Sequence, residues 1–265
     1  MPKDKKTLIM KFGGGVLDGS HGFHRIADLI MKKQQEYEQI AVVVSAMQGV
    51  TNHLIALAKS VNPTPPSREY DMLVSVGERV SISLLAMALF AKQIKAVSFT
   101  GSQSGVITTT EHGEAKIINV RPHRLLPHLE EGKVVIVAGF QGMSEAKEIT
   151  TLGRGGSDTT AVALAIALDA EKVLFYKDVG GIFPVDPKKE SGTQMYTCLT
   201  YDEVAAIVKR TGGVLHLRAI ELAKKNGVPL EIAPFWEDNQ EGTMIISDTI
   251  CREKVYEISP YYNTL

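Results

Sequence analysis

Short apolar runs return along this chain, each followed by a longer stretch of helical period. "TLIMKF" (Thr7–Phe12), "IAVVVSA" (Ile40–Ala46), "AVSFTG" (Ala96–Gly101), "VVIVAGF" (Val134–Phe140), "KVLFYKDV" (Lys172–Val179), "PLEIAPF" (Pro229–Phe235) and "TMIIS" (Thr243–Ser247) read as strands. A continuous run such as Ile40–Ala46, with no polar alternation, is what a strand buried on both faces requires. Between the runs, Gly22–Gln39 places Ile26, Leu29 and Ile30 on one helical face. Further helices are expected over Asn52–Ser60, Met72–Gln93 with an interruption near Gly77, Asp158–Leu168, Thr200–Gly212 and Arg218–Gly227. Thr200 and Glu203 stand at capping-box spacing, and Gly227 followed by Pro229 closes the last helix. Repeated strand–helix alternation specifies an α/β layered sandwich with a mostly parallel sheet.

Composition excludes more than it assigns. A formal net charge of -1 over 265 residues gives no global electrostatic case for nucleic acid or an anionic membrane. The longest apolar runs, near Leu84–Ala91 and Ala161–Leu168, fall far short of the ~20 residues that span a bilayer. The basic N-terminus is no signal peptide, and Cys198 and Cys251 match no metal or redox spacing, so a cytoplasmic protein is expected. The histidines form no zinc spacing with a third ligand, and no metal-ligating residues are assigned.

Two glycine turns, Gly13–Gly15 and Gly153–Gly156, lie at strand–helix junctions, where backbone N–H groups bind phosphates well. Neither matches the P-loop or dinucleotide template, and a glycine turn taken alone is more often just a turn. Charged residues stand beside them. Lys11 ends a strand before the first turn, as either a phosphate-facing ammonium or a surface lysine. Arg154 and Asp158 bracket the second turn, and Asp158 is also placed to cap a helix start. Glu78 and Arg79 interrupt an apolar stretch, where an ion pair at a helix start would also explain them. One arginine with two acids is what an α-amino acid needs, a grip on its carboxylate and a grip on its ammonium.

The ordered motifs carry a resemblance. "KFGG" (Lys11–Gly14), "VVVSAMQGVTN" (Val42–Asn52), "VNPTPPSREYDMLVSVGERVS" (Val61–Ser81), "SFTGSQSGVITT" (Ser98–Thr109), "VAGFQG" (Val137–Gly142), "TTLGRGGSDTTAVALA" (Thr150–Ala165) and "DP" (Asp186–Pro187) resemble the aspartate kinases, of the amino acid kinase fold. The resemblance runs in unbroken order from about Lys11 to Ile246. It implies a three-layer αβα sandwich that phosphorylates the β-carboxylate of L-aspartate with ATP and Mg²⁺, giving 4-phospho-L-aspartate and ADP. The other readings are a kinase for a different small amino acid or carboxylate, and a non-catalytic binding homologue.

Carried over, Lys11 and Asp158 would be catalytic, with Lys11 on the transferring phosphoryl group. Ser45, Thr51, Glu78, Arg154 and Ser157 would bind the substrate, Arg154 gripping a carboxylate. Glu78 and Asp158 would hold the substrate ammonium or organise the site. Gly13, Gly14, Lys177, Asp178, Phe183, Val185, Asp186 and Lys188 would lie around the nucleotide. The resemblance also implies a catalytic domain over 1–247, a short tail over 248–265, a possible homodimer, and no feedback through the C-terminal ACT domains of the usual family member. This chain departs from the family pattern on the nucleotide side. Gly15 and Val16 replace a hydroxyl pair, "KDVGGIFPVDPK" replaces the usual nucleotide stretch, and Gly213 stands where a second phosphate-flanking lysine is expected. Lys177 is either the replacement cation or a solvated strand-end lysine.

Overall fold

The computed structural model describes residues 5–185, 193–211, 213–236 and 242–247. The strands are β1 (Thr7–Phe12), β2 (Gln39–Val44), β3 (Ala96–Phe99), β4 (Val106–Thr108), β5 (Ile117–Val120), β6 (Val134–Ala138), β7 (Gln141–Ser144), β8 (Ile149–Thr151), β9 (Lys172–Lys177), β10 (Cys198–Thr200), β11 (Leu230–Pro234) and β12 (Thr243–Ile246). The helices are α1 (Gly19–Lys33), α2 (Val50–Val61), α3 (Ser67–Val74), α4 (Val76–Ala91), α5 (Leu126–Glu130), α6 (Gly156–Ala167), α7 (Tyr201–Thr211) and α8 (Leu217–Asn226).

The strand order of the large sheet is β10-β12-β11-β9-β1-β2-β6-β3. All neighbours are parallel except β11 and β12. Its central strands are the continuous apolar runs of the sequence, and period-2 alternation divides their side chains between two cores. Leu8, Met10 and Phe12 of β1 pack with Val42 and Val44 of β2 under α1 and α4. Ile9 of β1 joins Val43, Val135 and Phe175 on the opposite face, under α6 and α8. The result is the expected three-layer αβα sandwich. Lys11 shares the register of Ile9 and therefore points to the α6 side.

The capping box forms as the sequence specifies. Thr200 N–H donates to Glu203 Oε2 at 2.8 Å, and Glu203 N–H donates back to Thr200 Oγ1 at 3.2 Å. The helical stretch expected over Met72–Gln93 starts earlier and breaks at Ser75, between α3 and α4, rather than near Gly77. Gly77 is instead a point of close approach, since a Cβ there would lie 2.7 Å from Ala46 Cβ. Ser67–Ala91 as a whole is long and apolar enough, by length and composition, to cross a membrane, and 56% of its most apolar window is buried inside the fold.

A second sheet, β5-β4-β7-β8, stands beside the first. It was not anticipated from the sequence. The fully buried Asp71 of α3 fixes its inner edge, accepting from Thr151 Oγ1 at 2.6 Å, Thr151 N–H at 3.0 Å and Gly113 N–H at 3.1 Å, and meeting His112 Nδ1 at 2.8 Å.

Candidate active site

The C-terminal ends of β1 and β2, the N-terminal turns of α2, α4 and α6, and the edge of the small sheet surround one cavity of about 820 Å³. Ligands of open parallel sheets bind in this position, outside the carboxyl ends of the strands. Lys11, Gly14, Ser45, Thr51, Glu78, Arg154, Ser157 and Asp158 all line it.

Lys11 and Asp158 form its centre. Lys11 Nζ lies 2.6 Å from Asp158 Oδ1, with side chains 5% and 9% exposed. The surface-lysine reading of Lys11 is therefore ruled out. Asp158 stands in the first turn of α6, whose N-cap Gly155 has φ 73. Burial pushes the Asp158 carboxyl up, but the Lys11 and Lys177 ammoniums and the His216 backbone N–H outweigh it, and the group is held below the ordinary carboxylate range.

Lys177 Nζ approaches the other Asp158 oxygen, at 3.8 Å, and its side chain is 17% exposed. Burial and the neighbouring Lys11 lower its pKa to about 8, against the opposing pull of Asp158 and Asp178. It is not a solvated strand-end lysine, and it reaches the site through Asp158 without itself lining the cavity.

Glu78 is 3% exposed in the first turn of α4. It makes no ion pair with Arg79 among the described residues. Its Oε1 accepts the Ala46 N–H at 3.0 Å, while Oε2 is buried without a partner. Burial raises the carboxyl to about 7, with the Ala46 N–H and Lys11 opposing. A cation arriving at Oε2 would satisfy it.

The glycine turns admit backbone where side chains would not fit. A Cβ on Gly14 would lie 2.8 Å from the Ala46 carbonyl oxygen. Gly13 adjoins Lys11, its Cβ position being 3.5 Å from Nζ. Arg154 is exposed on the second turn and faces the cavity with no partner among the described residues. Asp178 is exposed beyond the end of β9 and Phe183 is half-buried, and neither lines the cavity. Val185 is exposed, while Asp186 and Lys188 lie outside the described residues. So do the 248–265 tail and Cys251. Gly213 is exposed, three positions before His216, and a Cβ there would meet Val208 Cγ2 at 2.6 Å.

Sequence reasoning did not single out Glu114, Tyr70 or Lys59, which also line the cavity, or His216, which supports Asp158 through its backbone N–H. Glu114 reaches the site from the β4–β5 connection of the unforeseen sheet.

Residues 6–234 match the model of the amino acid kinase family. The chain belongs to the amino acid kinase family. Among members of that family, it is 48% identical over 238 residues to an aspartokinase of Geobacillus stearothermophilus, covering 90% of this chain and 58% of that protein. The chain thus spans a little under three fifths of the length of such curated relatives. A crystal structure of aspartate kinase from Synechocystis superposes with a TM-score of 0.81 at 41% identity, over 91% of this chain and 40% of that one. E. coli aspartokinase III in complex with aspartate and ADP superposes with a TM-score of 0.82 at 26% identity, over 91% of this chain and 65% of that one. These likenesses agree with the resemblance carried by the motifs.

Proposed function

We propose that this chain is the catalytic domain of an aspartate kinase, transferring the γ-phosphoryl group of ATP to the β-carboxylate of L-aspartate. The observation that carries the reading is the buried Lys11–Asp158 pair, set in one cavity with the unpartnered Glu78 Oε2 and the exposed Arg154. The aspartokinase relatives, and the relative solved with aspartate and ADP, support it.

A carboxylate is already nucleophilic at neutral pH, so the reaction needs no strong base. A β-carboxylate oxygen forms a bond to the γ-phosphorus, the bond from that phosphorus to the β–γ bridging oxygen breaks, and ADP leaves with the electron pair. Catalysis is then positioning together with cations on the migrating charge. Arg154 grips the α-carboxylate by charge-assisted hydrogen bonds. Glu78 Oε2 receives the substrate ammonium, with Ser45, Thr51 and Ser157 supplying hydroxyls around it. Asp158 fixes Lys11, which faces the phosphoryl group across the Gly13–Gly14 turn. No group of three His, Cys, Asp or Glu residues suited to a metal stands among the described residues. Mg²⁺ would be held by the nucleotide phosphates and would supply charge neutralisation there.

An ATP-consuming reaction on an amino acid fits a cytoplasmic chain. A second copy is the proposed macromolecular partner, through the exposed apolar stripe of α3 and α4. The test is ADP release measured across a panel of amino acids, with hydroxylamine trapping of the acyl phosphate. ADP and a hydroxamate, both dependent on aspartate, are expected. Hydroxamate formation with another amino acid instead, or no ADP with any, would overturn the reading.

A further inference from the structure

Asp158 is contacted by two ammoniums rather than one, and strand register explains why. β1 and β9 are parallel neighbours in which Lys11 pairs with Phe175. Phe175 packs in the α6-side core with Ile9. Two residues further along β9, Lys177 falls on that same face, one strand over from Lys11 and slightly beyond it. Both stems therefore converge on the first turn of α6, where Asp158 meets one Nζ at 2.6 Å and the other at 3.8 Å.

The local charge does not balance. Two ammoniums and the partial positive charge of a helix N-terminus face one ionised carboxylate, all with side chains less than a fifth exposed. Glu78, another acid on the cavity wall, is pushed towards neutrality by burial and gives little compensation, and Asp178, whose charge also reaches Lys177, is exposed to solvent. The Lys177 ammonium makes no hydrogen bond among the described residues, and Asp158 is its one ion-pair partner there. Surplus charge held out of water is costly until an anion completes it. Burial first, and then the neighbouring Lys11 ammonium, lower the affinity of Lys177 for its proton.

We infer that Lys177 is a second phosphate-binding cation of this site, placed with Lys11 to hold the terminal phosphoryl group of a bound triphosphate during its transfer. The identity of that anion rests on the kinase reading. Asp158 then acts as the positioning residue that fixes the spacing of both ammoniums. No lysine is needed at position 213, and one would fit poorly there, because its Cβ would displace Val208.

The experiment uses wild type, Lys177→Met and Lys177→Arg in two arms. In turnover, Lys177→Met should lower kcat about 10²–10³-fold, as losing one positioned transition-state donor does, while the aspartate KM moves less than about twofold. The wild-type kcat/KM for ATP, which reports the free enzyme, should fall as pH rises through about 8, where Lys177 loses its charge, and Lys177→Arg should keep it above that pH. In calorimetry, without turnover, the wild type should bind a non-hydrolysable ATP analogue more tightly than ADP, and Lys177→Met should lose that preference by about tenfold, the order expected for one charge-assisted hydrogen bond. An unchanged kcat and pH profile in Lys177→Met would overturn the inference. If the wild type proves inactive with every amino acid, the kinase reading fails separately, and an unaltered triphosphate preference in Lys177→Met would still overturn the role of Lys177.

Discussion

Glu78 joins stability and binding in one carboxyl group. Its pKa is raised by burial to about 7, above the ordinary value of 4.5, so its contribution to stability is fully present below pH 4.5 and is lost as pH rises through about 7. Glu78→Gln retains an acceptor for the Ala46 N–H and removes the ionisation. Thermal unfolding of this variant should match wild type at pH 4 and occur several degrees higher at pH 8, with a gain of at most about 3 kcal/mol. Aspartate binding should weaken in the same variant, and the wild-type KM for aspartate should climb as pH falls below 7, because a protonated Glu78 no longer attracts an ammonium. A KM flat from pH 6 to 8 would remove Glu78 from the ammonium grip. Arg154 offers the complementary case. It is exposed and has no partner among the described residues, so Arg154→Ala should leave the melting temperature unchanged. Calorimetry should show aspartate bound more than tenfold less tightly, since a charged hydrogen bond contributes about 1.5–3 kcal/mol.

Among the elements, α6 sets the site most directly, and its start depends on Gly155. That residue has φ 73, and a Cβ there would come within contact of the His216 ring. Gly155→Ala therefore combines left-handed backbone strain of about 1–2 kcal/mol with displacement of the segment whose backbone N–H supports Asp158. Turnover in this variant should fall more steeply than thermal stability, measured on the same preparation. The elements also show what a sequence reveals. β1, β2, β6 and β9 were legible because strands buried on both faces are continuous apolar runs. β4, β5, β7 and β8 were not, because each is three or four residues long and several carry polar residues or glycine. Their identity as strands comes from pairing and from the Asp71 contacts, which are long-range. The site divides in the same way. Lys11, Glu78, Arg154 and Asp158 stood out as charges in apolar or glycine-rich surroundings, whereas Glu114 and His216 enter through connections whose path only the tertiary structure defines.

For the whole molecule, one feature that meets no partner among the described residues is an apolar stripe along α3 and α4. Met72, Val76, Val80, Leu84, Met87 and Phe90 recur at helical spacing, and Met87 and Phe90 are 64% and 59% exposed. Contiguous patches of this kind are uncommon on monomers, and a stripe along a helix can meet its own copy across a two-fold axis. Light scattering should give the mass of a dimer for the wild type and of a monomer for Met87→Lys combined with Phe90→Glu; a monomeric wild type would dismiss the second copy as partner.

The pairing of Lys11 with Asp158 has a consequence in time as well as in space. The two residues are separated by more than half of the chain, and the pair ties β1 to α6, the helix that leads into β9, the other neighbour of β1. Parallel pairings over such separations are slow to form, whereas helices appear early. On refolding from denaturant, helical circular dichroism should recover before nucleotide binding does, and the lag between the two signals measures how long the chain searches for its central strand order.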